Sequence, residues 1–340
     1  MCEINQNYLK SFRIVDLCIA ESICNLSCIY CSPNDNSHLP RKHFSTQIHI
    51  NKLHDLLSII SRVPSVSLLK VSGGEITLLE NVFRELAETF VSKFPYVQLL
   101  TNGTRWNASD LNWWQSFGNT MLQISLDALS IAGNTCRGIK HSQLSNIINL
   151  LNHSHSTSLP TEICCVITKY NILELSSFFM EASKRWPNTI IYPFPVRGVQ
   201  ELLPSVSDFN IFWDDYKELE FKLTNVPPSI YFEDLKAFFM NSYERTKPCF
   251  MSIIGKGIVD DRNVYYCPCS ETETVGVLNP CDYSTLNSFI DMQMPPESIN
   301  TCKSCFTHYE IINYLVSGKV DMATAHSYPT LLPFIRGVDR

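Results

Sequence analysis

The chain has 340 residues, of which 45% are hydrophobic and 18% charged, a composition that excludes intrinsic disorder and suits one large α/β domain with a smaller appendage. A net charge of −6 with scattered Lys and Arg excludes the basic footprint of a nucleic-acid binder and the cationic run of a membrane-surface protein. The opening MCEINQNYLKSFR has no signal-peptide apolar stretch, and no segment reaches the about 20 apolar residues that span a bilayer, so the expected location is the cytoplasm.

Along the chain, β-branched runs predict strands at Arg13–Ala20, Val66–Ser72, Tyr96–Thr101, Met121–Asp127, Thr161–Thr168 and Thr189–Phe194. The first intervening segment, Ile48–Val63, repeats Leu53, Leu56, Leu57 and Ile60 at helical spacing. Further helices are expected at Leu79–Lys93, Asp110–Phe117, Ser142–Asn152 and Leu173–Trp186. Such alternation gives parallel strands joined by right-handed crossovers. Six units could close into an incomplete barrel or lie as an open sheet, and periodicity does not choose. After Gly198 the pattern changes to a helix at Asp208–Asn225, a turn-rich segment from Cys249 to Cys305 and helical character at Tyr309–Val316. The expected division is a core over residues 1–200, a helical linker or insert over 201–245 and a cysteine-rich domain over 246–340.

Fourteen cysteines in a reducing compartment point to metal or redox chemistry rather than disulfides. Cys24-Asn-Leu-Ser-Cys28-Ile-Tyr-Cys31 follows the first predicted strand. Three thiolates in this spacing can wrap one face of a 4Fe–4S cube and leave one iron without a protein ligand. A structural zinc site with a distant fourth ligand is the competing reading, although zinc more often uses paired CxxC spacing.

CxxxCxxC with an aromatic residue before the last cysteine resembles the signature of the radical S-adenosylmethionine (SAM) superfamily. The resemblance implies that the amino and carboxylate groups of SAM chelate the open iron and that cluster reduction cleaves SAM to a 5′-deoxyadenosyl radical. It also implies a reductant such as flavodoxin or ferredoxin, and it places Tyr30 near the adenine.

Other candidates fall at the ends of the predicted strands, where chemistry collects in parallel barrels. The second strand ends in Ser72-Gly73-Gly74-Glu75, the third in Thr101-Asn102-Gly103 and the fourth in Ser125-Leu-Asp127. Gly73 and Gly74 would let the backbone approach a ligand, and Glu75 would engage the amino group of SAM. Asn102 and Ser125 suit ribose or carboxylate hydrogen bonds, and Arg137 suits the methionine carboxylate. The order GGE, TNG, SLDA resembles the SAM-binding elements of the superfamily over residues 13–200, which adds Asp127 to the cofactor-binding set and implies a partial (β/α)6 TIM-like barrel.

The second cysteine group reads Cys249-x17-Cys267-Pro-Cys269, Cys281, then Cys302-Lys-Ser-Cys305. Its residues alone allow zinc or a cluster. The spacing resembles the twitch module, the short relative of the SPASM domain, whose four cysteines hold an auxiliary 4Fe–4S cluster. The matching residues are Cys249, Cys267, Cys302 and Cys305, with Gly255 and Gly257 consistent with that module's tight hairpin. Cys269 and Cys281 are surplus to the pattern, as spare thiols, substitute ligands or a remnant of another cluster.

Three functions follow. One is maturation of a ribosomally made peptide; the 23 residues before Cys24 are too few for a fused leader-recognition domain, so leader binding is expected to need a separate protein or another surface. Another is oxidation or epimerisation of a sugar or aminocyclitol, because the twitch spacing resembles that of 2-deoxy-scyllo-inosamine dehydrogenases. The third is a zinc-binding scaffold without catalysis, which leaves the GGE and TNG elements unexplained. An epimerase would need a hydrogen-atom donor, for which Cys164, Cys165, Cys136 and Cys281 are candidates. No residue is assigned a catalytic role beyond these.

Overall fold

The six β-branched runs become β1 (Arg13–Ile19), β2 (Val66–Gly73), β3 (Tyr96–Thr101), β4 (Thr120–Ser125), β5 (Thr161–Ile167) and β6 (Ile190–Pro195) in the computed structural model. Residues 6–19, 23–31, 46–259, 263–269, 274–277, 283–291 and 305–336 are described. Adjacent strands from β1 to β6 are all parallel, which is the expected α/β half-barrel. The helices α1 (Gln6–Ser11), α2 (Thr46–Ile60), α3 (Glu80–Lys93), α4 (Ala108–Gln115), α5 (His141–Thr157) and α6 (Leu175–Arg185) frame and connect these strands. Each of α3, α5 and α6 buries one apolar stripe, for example Phe83, Leu86, Ala87 and Phe90 on α3. A capping box of Asn107 and Asp110 starts α4, an arrangement worth about 1 kcal/mol.

Past β6, α7 (Val206–Leu219) and α8 (Ser229–Met240) pack through stacked rings, Phe209 on Phe239 at 4.2 Å and Tyr216 on Phe232 at 4.0 Å. The sequence reading names no element over α8. Its start is nonetheless marked by Pro227 and Pro228, and its buried Tyr231, Phe232, Leu235, Phe238 and Phe239 have helical spacing.

The sheet does not stop with β6. Strand β7 (Gly255–Val259) pairs in parallel with β1, and β8 (Asn263–Tyr265) and β9 (Thr274–Val277) follow antiparallel. The order among the described residues is β6-β5-β4-β3-β2-β1-β7-β8-β9. The hairpin expected around Gly255 and Gly257 is β7–β8, with Gly257 opposite Tyr265, and β7 also runs along β1, placing the two glycines opposite Ile14 and Asp16. A Cβ on Gly255 would stand 2.4 Å from Met251 Cε and 2.9 Å from Pro268 Cδ, so close packing is what requires glycine there.

The barrel interior is polar and mostly paired internally, with Gln98 Oε1 and His308 Nδ1 left without a hydrogen-bond partner among the described residues. Glu162 accepts from Gln98 (2.9 Å), Gln123 (3.0 Å) and both the amide and the hydroxyl of Thr330 (2.6 and 2.8 Å). Lys70 donates to Gln123 (3.1 Å) and to His308 Nε2 (2.8 Å), while Tyr309 donates to Asp16 (2.8 Å). Burial, reinforced by Lys70, holds His308 well below its usual pKa, consistent with a neutral ring that accepts from the ammonium. Residues 305–336 thus plug the strands' interior through a polar network that is costly to leave half made. No helix among the described residues is long and apolar enough to cross a membrane.

Candidate active site

Parallel strands bring the ends of β1 to β6 to one face, and the loop 23–31 lies across it. Three stations hold this loop. The Glu75 amide, just past β2, donates to the Ile23 carbonyl (2.6 Å), and the Ile29 amide donates to the Cys136 carbonyl (2.8 Å). Past β3, Asn102 donates to Asn25 Oδ1 (2.9 Å) and Asn25 donates to Thr104 (2.8 Å).

On that loop Cys24 is exposed and Cys28 and Cys31 are partly buried. Asn102 Nδ2 stands 3.9 Å from Cys24 Sγ, and Cys28 Sγ stands 3.9 Å from the Arg137 carbonyl. The Cys31 amide closes a turn on the Cys28 carbonyl (3.1 Å). Burial pushes the Cys28 thiol up, and nearby Arg137 opposes this. Among the described residues no group of three or more His, Cys, Asp or Glu is arranged to hold a metal ion. A cube differs in distributing its thiolates over separate irons. Three soft donors on one short loop, one of them facing solvent, fit such a cube with one iron left open.

Tyr30 sits in a buried charge network. Its hydroxyl donates to Asp127 Oδ2 (2.6 Å) and accepts from Arg137 Nη1 (3.1 Å), while Asp127 Oδ1 accepts from the Val166 amide (3.0 Å). Burial raises the pKa of Asp127, with Arg137 working against it. Burial also opposes the charge of Arg137, but Tyr30, Asp127 and Cys28 outweigh it and keep the guanidinium protonated. Arg137 Nε is buried without a hydrogen-bond partner among the described residues. Ser125 ends β4 beside Cys164 of β5.

Two motif residues are engaged differently from the sequence expectation. Glu75 turns its carboxylate inward: Oε1 accepts from Thr77 (2.6 Å) and Thr101 (2.8 Å), and Oε2 from the Asn102 amide (2.6 Å). It therefore ties the end of β2 to that of β3, and burial raises its pKa against these bonds. At Gly73 a Cβ would lie 2.1 Å from the Ile19 carbonyl oxygen, so the close approach that needs glycine is that of β1. Gly74 follows directly in the turn to Glu75.

The thiol candidates separate by environment. Cys136 is buried against Val196 and Leu202, with Tyr30 packed on the same cluster. Cys164 is influenced by Lys70 and Glu162 of the barrel interior, and burial pushes its thiol up to about 12. Cys165 lies in the apolar core and donates to the Asp127 carbonyl (3.4 Å). Cys281 lies outside the described residues.

The second cysteine group converges. Cys267 and Cys305 both hydrogen-bond to the Cys269 thiol, and Cys249 is close enough to act on all three. Cys302 lies outside the described residues. Asn313 Nδ2 donates to Cys249 Sγ (3.7 Å) and its Oδ1 accepts from the Phe250 amide (2.8 Å). Arg245 forms a buried bidentate pair with Glu310 and donates to the Cys305 carbonyl (3.3 Å). The sequence reading left Cys269 as surplus and did not find Arg245, Glu310 or Asn313. The close Cys267-Pro-Cys269 spacing was the available signal for the first.

A cavity of about 500 Å³ opens beside this group, lined by Arg197, Val199, Leu203, Phe238, Tyr243 and Phe306 among others. Ser242 and Tyr243 on its rim have φ of 54° and 63°, a strained conformation for non-glycine residues that concentrates at functional sites. Arg197 Nη2 donates to the Cys269 carbonyl (2.8 Å), so one side chain joins the cavity wall to the thiols.

No family model matches the chain. It is 28% identical over 131 residues to the GTP 3′,8-cyclase of Haemophilus ducreyi, covering 38% of this chain and 37% of that protein. It is 26% identical over 155 residues to the sporulation killing factor maturation protein SkfB of Bacillus subtilis, covering 45% of this chain and 35% of that protein. The matched stretch is thus little more than a third of each curated relative. The fold is similar to that of anSMEcpe with bound AdoMet, with a TM-score of 0.58 and 16% identity over 90% of this chain and 96% of that one. It is similar also to Streptococcus suis SuiB bound to precursor peptide SuiA, with a TM-score of 0.57 and 15% identity over 87% and 70%. These structural likenesses show the fold that the chain shares with anSMEcpe and SuiB.

Proposed function

We propose that this protein is a radical SAM enzyme that modifies a peptide, with Cys24, Cys28 and Cys31 holding the SAM-binding 4Fe–4S cluster. The observation that carries the reading is the three-point attachment of the cysteine loop to the ends of β2 and β3 and to Cys136. When bound, the cluster and SAM supply a 5′-deoxyadenosyl radical able to take hydrogen from an unactivated C–H bond.

The chain's own residues bind and orient. Asp127 and Arg137 fix the Tyr30 hydroxyl, which sets its ring for the adenine. The buried, unpartnered Nε of Arg137 suits the carboxylate of SAM. Asn102 and Ser125 suit the remaining polar groups, and Gly73, Gly74 and Glu75 hold the β2 end that carries the loop. The C-terminal thiols Cys249, Cys267 and Cys305 are assigned to an auxiliary 4Fe–4S cluster, for which the resemblance nominates Cys302 as fourth ligand. Its role is electron transfer, with flavodoxin or ferredoxin as external reductant.

A peptide substrate is supported by the maturation role in the name of SkfB, by the peptide complex of anSMEcpe and by the SuiA complex of SuiB. The half-apolar cavity between Arg197 and Phe306 has the size of a ligand site and is assigned to the substrate.

Anaerobically reconstituted protein given dithionite and SAM should release 5′-deoxyadenosine, and Cys28→Ala should release none. Release from the variant at the parent rate would overturn the assignment.

A further inference from the structure

The twitch-like pattern leaves Cys269 without a task, yet the fold puts it in the middle of the second thiol group. We propose that Cys269 supplies the fourth thiolate of the auxiliary cluster, with Cys249, Cys267 and Cys305, in the place the resemblance gave to Cys302. The inference rests on the reading of this region as a cluster site and names its ligand set.

Position is the first argument. Cys267 and Cys305 come from segments 38 residues apart in sequence and both direct their thiols at Cys269. Cys249, from the segment before β7, is tied to the same region through Asn313, Glu310 and Arg245, which reach its Sγ at one end and the Cys305 carbonyl at the other. Cys269 packs at the edge of the core beside Cys267, its amide 3.4 Å from the Cys267 Sγ and its own Sγ 3.9 Å from Oγ1 of Thr307, two residues past Cys305.

Rigidity is the second. The Cys269 carbonyl is held by Arg197 (2.8 Å), its amide donates to Cys267 Sγ (3.4 Å), and its own Sγ lies 3.9 Å from Thr307 Oγ1. Pro268 stiffens the step between Cys267 and Cys269. Hydrogen bonds to sulfur, here from the Cys269 amide and from Asn313 to Cys249 (3.7 Å), are the contacts that tune a thiolate-held cluster. Charge is the third. Arg197 acts on Cys269 and Cys305, and Arg245 acts on Cys249. Two guanidiniums thereby offset part of the negative charge that four thiolates bring.

The test uses the full chain with Cys24, Cys28 and Cys31 all replaced by Ala, so that iron reports the second site alone. After anaerobic reconstitution this background should hold about four iron and four sulfide per chain and give an electron paramagnetic resonance signal when reduced. Adding Cys269→Ala should lose at least half of the iron and that signal, while adding Cys302→Ala should leave both unchanged. Cys269→Ser, which keeps a weaker ligand atom, should retain a cluster with shifted g values and guards against a folding defect in the alanine variant. Retention of four irons and an unshifted signal by both Cys269 variants would overturn the ligand assignment. A background that takes up no iron, or zinc without sulfide, would instead overturn the auxiliary-cluster reading beneath it.

Discussion

The two cysteine groups use the same side chain in differently braced settings. The first sits on a loop held at its perimeter by backbone and amide contacts, with Cys24 exposed. The second, whose Cys249, Cys267, Cys269 and Cys305 are partly buried, is braced on one side by Arg245, Glu310 and Asn313 and on the cavity side by Arg197. The difference lies in the bracing: backbone and amide contacts hold the first loop, whereas a buried ion pair stands behind the second group. That difference comes from what surrounds the thiols rather than from the cysteine spacing alone.

The contrast can be broken most forcefully at Arg245. Arg245→Ala leaves the Glu310 carboxylate buried without its partner, which should cost about 3–5 kcal/mol, read from urea unfolding. Thiol-reagent labelling of Cys249 and Cys305 should accelerate while Cys24 labelling stays as it was. Equal acceleration at both groups would mean that they are not separately framed.

A smaller effect is expected at the first loop. Tyr30→Phe takes the hydroxyl from between Asp127 and Arg137 and leaves Asp127 Oδ2 short of a donor, a loss of about 1–3 kcal/mol. Titration with SAM should show weaker binding at unchanged iron content. Unchanged affinity would remove Tyr30 from the cofactor site.

A third effect, gradual in pH, sharpens the picture around the second group. Lys256 in β7 is buried, and desolvation, helped by Arg13, lowers its pKa from 10.5 to about 7. Below pH 7 both folded and unfolded chains carry the proton and the burial penalty is fully felt. Between pH 7 and 10 the folded chain has shed a proton that the unfolded chain retains, so this lysine's contribution to stability rises with pH. The slope is at most about 1.4 kcal/mol per pH unit. In Lys256→Met that slope should vanish from the difference in unfolding free energy between parent and variant.

How much of this was readable varies by element. β1 to β6 were legible because parallel, doubly covered strands need near-continuous β-branched runs, and their ends fall within a residue or two of expectation. β7 was not, because Gly-Lys-Gly-Ile-Val is short and carries two glycines, and its partner β1 lies over two hundred residues away. Lys70, Gln98, Gln123 and Glu162 resemble outward-facing members of an alternating strand until His308 and Thr330 arrive to pair with them. The Gly73-Gly74-Glu75 motif located one edge of the site, but no local signal said that Thr101 and Asn102 would occupy Glu75. Cys302 and Cys281 lie outside the described residues. Cys269 could be seen in the sequence, but its neighbours could not.

The last parallel strand, β6, bears on how another polypeptide could join the sheet. Its outward amides fall at alternate positions: the Ile191 amide already donates to the Asn225 carbonyl (2.8 Å), and Pro193 and Pro195 have none to offer. The outward Pro193 carbonyl is taken by the Tyr231 hydroxyl (2.8 Å). A guest strand laid along this border would therefore meet no free donor from Ile191 to Pro195, which is how natural sheets discourage strand addition.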